Sequence, residues 1–306
     1  MMITPITQTN LYELNVQLTS LVNLYKKDKL PNKILLSGRK GIGKSTMAYH
    51  LINYILSENE EFSYDVEYCK INKNNRSYKL ILNKTNPNFN LIDVLDEKKK
   101  IDINQIRNLI VSLNKSSFNQ KPRIVLIDNL ELLNINSINA LLKTLEEPGS
   151  NIFFILINNN NKILDTLKSR CLNFNIYLSN NQSLQVSKNL IDSDKYSLIH
   201  KDLLNYYITP GKIYNLVKFC DENNIDLTDM DLKKLLSFII DRSLYKTGPY
   251  IKNYIYELIE VFMLNNISNK SFEIFNYFTT KISNIKKFNL NEETLFLEFK
   301  EKLLNG

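Results

Sequence analysis

Tryptophan is absent from the 306 residues, and cysteine, histidine, glycine and proline are all scarce. The three cysteines, Cys69, Cys171 and Cys220, are odd in number, far apart and never in a C-x-x-C pair, and the histidines are His50 and His200 alone. Such spacing supports neither a disulfide framework nor a structural zinc site. Long apolar runs are also missing. Met1 to Leu14 has no basic start followed by an apolar stretch, and the most apolar late segment, Tyr254 to Leu264, is short and carries Glu257 and Glu260. Neither a signal peptide nor a membrane span is expected, and the sequence reads as soluble and cytoplasmic.

What is present is a globular composition. With 43% hydrophobic and 23% charged residues, the chain can bury a sizeable core, and its length suggests two or three domains. A net charge of +7 and a pI near 9.0 suit polyanionic partners such as nucleic acid, and equally suit a solvated surface that binds nothing. Lys, Asn and Ile recur throughout, as in a gene rich in A and T, which dilutes the meaning of any single Lys or Asn.

From Lys33 to about Tyr177, short apolar runs alternate with amphipathic segments. The runs are Lys33 to Ser37, Phe89 to Asp93, Arg123 to Asp128, Ile152 to Ile157 and Leu172 to Ile176. Near-continuous apolar strands separated by helical patterns predict a parallel sheet with helices on both faces. After Tyr177 the period becomes helical, opening on a capping box at Ser179-Asn-Asn-Gln182 and continuing past Thr209-Pro-Gly-Lys212. Leu232, Leu235, Leu236, Ile239 and Ile240 follow helical spacing behind a candidate cap at Thr228, and a last helix is expected near Asn291-Glu-Glu293.

Gly38-Arg39-Lys40-Gly41-Ile42-Gly43-Lys44-Ser45 matches the phosphate-loop pattern G-x-x-x-x-G-K-[ST] between an apolar strand and the helical pattern Thr46 to Leu56. Glycines let the backbone wrap phosphates so that amide N–H groups and the helix N-terminus face the anion. Lys44 is then expected to reach the terminal phosphates, and Ser45 to offer its hydroxyl to Mg²⁺. The competing readings are a glycine turn that merely joins strand to helix, and a loop retained after nucleotide binding was lost. Such a site needs a carboxylate on a neighbouring strand, and Asp128 ends the run Ile124 to Ile127 at the expected sheet edge. An Asp there is otherwise an ordinary turn residue. Asn129 follows it and can orient a water but cannot take its proton, while Glu131 is expected on a different aspect of the chain. Nucleotide binding is better supported than hydrolysis.

Three further stretches resemble bacterial clamp-loader subunits of DNA polymerase III, an AAA+ family: Asn139-Ala-Leu-Leu-Lys-Thr-Leu-Glu-Glu-Pro148, Ser169-Arg170-Cys171, and the helix opening Ile101-Asp-Ile-Asn-Gln-Ile-Arg107. With Leu30 to Gly38, the similarity is dense from about 30 to 177 and thins over the helical half. It implies an α/β AAA+ nucleotide-binding domain over 1–177, a small helical lid over 178–222 and a helical collar over 223–306.

In that family, subunits assemble as a hetero-pentamer of motor, delta and delta prime chains, with ATP sites at interfaces, and place a sliding clamp on primed DNA. By resemblance Arg170 is a finger acting in trans on a neighbour's ATP, a role that suits a fixed guanidinium. Asn158 takes the position that senses the terminal phosphate, and Lys212 the basic lid position; Thr46 and the other loop residues complete the nucleotide site. Many relatives carry a Cys-rich zinc module where this chain has only Cys69, so zinc is not expected. The pair Asp128-Asn129 departs from the acidic pair of the motor subunit and favours the delta prime branch, as does the short length. The alternatives are a gamma-type motor ATPase and an AAA+ regulator unrelated to replication.

Overall fold

The computed structural model describes residues 3–304 apart from 96, 97, 99, 116–118, 148, 150, 160, 161, 205–207, 229, 248, 267–271 and 289. Pro148, which ends the Asn139 to Pro148 stretch singled out above, lies outside the described residues. The chain forms two compact units: one runs to Leu190 and takes in Thr209–Lys212, and the other holds Ile191–Ile208 and Ile213 onward.

In the first unit five parallel strands, β1 (Lys33–Ser37), β2 (Phe89–Ile92), β3 (Arg123–Ile127), β4 (Ile152–Asn158) and β5 (Leu172–Asn175), lie in the order β2-β3-β4-β1-β5. The helices are α1 (Asn15–Lys26), α2 (Lys44–Leu56), α3 (Arg76–Leu82), α4 (Ile103–Leu113), α5 (Ile135–Glu146), α6 (Asp165–Lys168) and α7 (Asn180–Leu190). Alternation along each strand feeds two separate cores. Ile34, Leu36, Ile124, Leu126, Ile155 and Ile157 meet Leu18, Met47, Leu51 and Ile81 from α1, α2 and α3 on one face. Leu35, Val125, Ile127, Phe154 and Leu156 meet Ile106, Leu109, Leu141, Leu145 and Leu167 from α4, α5 and α6 on the other. Each such aliphatic side chain contributes about 1.5–3 kcal/mol by leaving water, so the central strands are held from both sides.

The strand ends carry the chemistry. Two runs expected to close on Asp93 and Asp128 stop one residue earlier, because both carboxylates accept the next backbone N–H, from Val94 at 2.7 Å and Asn129 at 2.8 Å. Short polar side chains that bond their own backbone compete with the strand ladder in this way. Helix α2 begins at Lys44, two residues before the expected Thr46. The capping box expected at Ser179 and Gln182 forms at the head of α7, and Asp102 and Gln105 cap α4 in the same reciprocal way.

The second unit is helical: α8 (Ser193–Ser197), α9 (Pro210–Glu222, whose first residues belong to the first unit), α10 (Leu232–Asp241), α11 (Pro249–Asn265), α12 (Phe272–Phe288) and α13 (Glu293–Phe299). The apolar positions expected of α10 are all buried. Its cap is Asp231, whose carboxylate accepts the Lys234 N–H at 2.7 Å, and not Thr228, whose hydroxyl is engaged by Asp226. Asp231 directly precedes the helix, where its oxygen reaches the orphan N–H of the first turn. Aromatic rings fill this core, with Phe296 edge-on to Tyr245 at 4.7 Å and Phe278 to Phe299 at 5.2 Å. Among the described residues, no helix is long and apolar enough to cross a membrane.

Candidate functional site

The loop Gly38–Ser45 joins β1 to α2 at the carboxyl edge of the sheet, with β4 and β5 on either side of β1. That edge is where open parallel sheets bind ligands. Gly41 and Gly43 have φ of 87° and 99°, a left-handed backbone that side chains rarely adopt, so the loop can turn tightly there. Gly43 also supplies the residue before α2 and, having no side chain, caps none of the first helical N–H groups. Such a curl of amides at a helix N-terminus suits an anion.

Lys44 is 3% exposed, and its ammonium donates to Gly38 O at 2.8 Å, Arg39 O at 2.7 Å and Asn159 Oδ1 at 2.9 Å. Burial lowers its pKa to about 8, against the opposing pull of Asp128 and Glu131. Its charge therefore sits in the loop with carbonyl and amide oxygens where phosphate oxygens would fit better. Ser45 Oγ donates to Asp128 Oδ2 at 2.6 Å. Burial pushes the Asp128 carboxyl up, and nearby Asp93 adds to this, while the bonds from Ser45 and Asn129 oppose it. A hydroxyl and a carboxylate side by side form the hard-oxygen donor set that Mg²⁺ prefers, so the residues fit both a phosphate chain and its metal.

Behind this pair a polar network crosses three strand ends. Asn129, left-handed at φ 54°, donates Nδ2–H to Asp93 Oδ1 at 2.8 Å, and its Oδ1 accepts Asn159 Nδ2–H at 3.0 Å. Asn159 also donates to Glu131, from Nδ2 at 2.8 Å and from its backbone N–H at 3.3 Å. Glu131 was expected to face elsewhere; the short 3₁₀ turn Leu130–Leu132 swings it back onto the end of β4. Asn158 closes β4, is buried, and accepts Gly38 N–H through its backbone carbonyl at 3.2 Å. The side chain that meets Lys44 is that of the next residue, Asn159, which the sequence hid inside a run of four asparagines. Asp93 was missed as well, since an Asp after a short strand carries no motif of its own.

Lys212 stands in the first turn of α9, one residue after Gly211, whose N–H bonds Gly41 O at 2.8 Å, so this segment comes beside the loop. Arg170 lies between α6 and β5, away from this cluster in its described hydrogen bonds. Its Nε and Nη2 donate to Glu146 Oε1 at 3.1 and 2.5 Å, and its Nη1 to Thr166 O at 2.5 Å. Its neighbour Cys171 packs against the core below α5, and burial pushes that thiol up to about 11.

Residues 14–179, more than half of the chain, match the family model described as DNA polymerase III, delta subunit. A DNA polymerase III subunit delta' of Buchnera aphidicola subsp. Baizongia pistaciae is 27% identical over 90% of this chain and 92% of its own length. A Mycoplasma genitalium DNA polymerase III subunit gamma/tau is 28% identical over 69% of this chain but only 36% of its own length. Among solved structures, a DNA polymerase III gamma subunit-related protein of Thermotoga maritima superposes with a TM-score of 0.55 at 19% identity, covering 92% of this chain and 96% of that one. This last likeness concerns the fold alone. Strand order, phosphate loop, the Leu-Glu-Glu and Ser-Arg-Cys stretches and the family match agree, and the chain belongs to the DNA polymerase III delta-subunit family of AAA+ clamp-loader proteins.

Proposed function

We propose that this protein is the delta prime subunit of a DNA polymerase III clamp loader, which binds ATP with Mg²⁺ in the Gly38–Ser45 loop without hydrolysing it efficiently. In this reading Gly38 to Thr46 hold the nucleotide, with Asp128 and Ser45 at the metal, and Asn159 beside the terminal phosphate in addition to Asn158 and Lys212. The lid (178–222) and collar (223–306) join it to motor and delta subunits, and the complex places a sliding clamp on primed DNA in the cytoplasm. Arg170 serves the ATP of a neighbour.

The observation that carries the reading is the pairing of a complete phosphate loop with Asn129 where a carboxylate would be needed. Lys44, Ser45 and Asp128 converge at one sheet edge, yet the amide of Asn129 is tied to Asp93 and Asn159. When bound, the nucleotide supplies the phosphates that Lys44 neutralises; the chain's own part is to orient them and exclude water. An amide does not accept the proton of an attacking water.

A second reading is a gamma-type motor, favoured by the match to a Buchnera aphidicola DNA polymerase III subunit gamma, 29% identical over 59% of this chain, and by Glu131 reaching the site. One experiment separates them. The purified chain, alone and with its native partners, clamp and primed DNA, is assayed for ATP turnover, with a Lys44→Ala chain in parallel. The delta prime reading requires turnover by the complex but none above the Lys44→Ala control from the chain alone. Robust hydrolysis by the isolated chain would establish the motor.

A further inference from the structure

The segment Thr209–Lys212 is far along the chain from the phosphate loop, yet it belongs to the same compact unit. Thr209 is only 4% exposed, and its hydroxyl donates to Lys40 O at 2.8 Å. Gly211 N–H donates to Gly41 O at 2.8 Å. Two consecutive carbonyls of the loop are therefore held from one side by one short strap.

A trans peptide is planar, and its N–H points opposite to its C=O. Fixing Lys40 O fixes the N–H of Gly41, and fixing Gly41 O fixes the N–H of Ile42, both on the side away from the strap. Those two amides sit in the middle of the phosphate-loop pattern, where a nest of N–H groups meets anion. The approach is close enough to dictate glycine on both partners. A Cβ on Gly211 would lie 2.8 Å from Gly41 Cα and 2.9 Å from its O, and a Cβ on Gly41 would lie 2.4 Å from Thr209 Oγ1. Gly211 stands in the first turn of α9, where N–H groups have no acceptor within their own helix, so the loop carbonyl supplies what the helix cannot. The eight-residue loop pattern asks for none of this.

We propose that Thr209 and Gly211 are positioning residues that pre-set the phosphate-facing amides of Gly41 and Ile42 by holding the carbonyls of Lys40 and Gly41. The inference rests on the reading above that the loop binds nucleotide, and it adds that binding strength is set partly by Thr209 and Gly211, far along the chain from the loop pattern. Losing a buried hydrogen bond of this kind weakens binding roughly tenfold when the freed loop must be re-ordered by the ligand.

The test uses the full chain, a fluorescent ATP analogue and inorganic triphosphate, each with Mg²⁺, titrated well below the melting temperature. Thr209→Val keeps the side-chain outline and removes the hydroxyl; its affinity for both ligands should fall about tenfold, and by the same factor, because the strapped amides face phosphate rather than base. Thr209→Ser should restore both. If the unmutated chain binds and Lys44→Ala does not, but Thr209→Val binds as tightly as the parent, the strap has no positioning role and the nucleotide site stands. If the unmutated chain binds neither ligand, the site and the strap fall together. Residue-resolved amide exchange of the unmutated, unliganded chain gives an arm independent of any variant. The Gly211 N–H should be protected although it heads a helix, and exchange at the rate of an open chain would overturn the proposal.

Discussion

The side-chain amide of Asn129 donates to the carboxylate of Asp93 at 2.8 Å, across the ends of two neighbouring strands. Asp93 thereby matches an amide donor, and a carboxylate at 129 would meet it as a like charge. Asn129→Glu should lower the melting temperature by several degrees, on the order of 1–2 kcal/mol, whereas adding Asp93→Asn should recover most of the loss. Thermal melts of the two single variants and the double variant at pH 7 check this. Additive losses would mean that the two side chains are not coupled.

Nucleotide binding should carry a pH signature from Lys44. Burial holds its pKa at about 8, and an arriving phosphate chain favours the charged form. Below about pH 8 the ammonium is already charged, so binding takes up no proton. Above it the amine must be protonated, and apparent affinity should fall by up to about tenfold per pH unit. ATP with Mg²⁺ should raise the melting temperature at pH 7, as any ligand of the native state does, and the rise should shrink at pH 9. In Lys44→Met the rise should vanish at both.

His50 predicts acid sensitivity. The ring is fully buried, with Nε2 at 3.1 Å from Gln8 O and Nδ1 at 2.8 Å from Tyr64 OH. A carbonyl can only accept, so Nε2 carries the proton and Nδ1 accepts from the tyrosine, which fixes the neutral tautomer. Burial lowers the pKa to about 4 from the ordinary 6.5. The neutral ring contributes its full stability above pH 6.5; as pH falls from there towards 4 the unfolded chain binds the proton first, and stability drops by about 1.4 kcal/mol per unit. Denaturant titrations between pH 7 and 5, above the range where carboxylates such as Glu298 add a slope of their own, should show a steeper loss in the parent than in His50→Gln, whatever the variant's absolute stability.

The strands and the loop were legible because their signals are local. A short apolar run bounded by polar residues favours a strand at these lengths, and a glycine loop between strand and helix has few other uses. Asp128 was legible by its place after β3. Asn159, Glu131 and Asp93 were not, because what brings them together is the strand order, which sets the end of β4 between those of β3 and β1. The short turn after Asn129 then reverses the direction that simple spacing assigns to Glu131. Thr228 failed as a cap for a related reason. Two residues with capping chemistry lie close together, and only the backbone decides that Asp231 adjoins the helix while Thr228 bonds Asp226. The strap at Thr209 is a contact between distant segments and leaves no local pattern.

Arg170 carries the prediction most specific to assembly. Its guanidinium rests on Glu146 and on the Thr166 carbonyl, in an ion pair half-exposed at the arginine, 32% of the side chain, and exposed at the glutamate, 51%. Such a pair contributes at most about 1 kcal/mol, so Arg170→Ala should leave the melting temperature of the isolated chain nearly unchanged. Its described bonds run along α5 and α6 rather than to Lys44 or Asp128, so ATP binding by this chain should also survive. If the side chain leaves Glu146 for a neighbour's phosphate in the complex, the same substitution should depress clamp- and DNA-stimulated ATPase. A trans finger is worth about 10³–10⁵ in well-studied phosphoryl transfers, and one site among several in a ring should show only part of that. Lysine should rescue poorly, because a point charge lacks the planar fork that grips two oxygens at once. Steady-state ATPase of the reconstituted complex carrying the parent, Arg170→Ala or Arg170→Lys subunit decides the matter. Equal rates across the three would leave Arg170 as a surface residue tied to Glu146 and nothing more.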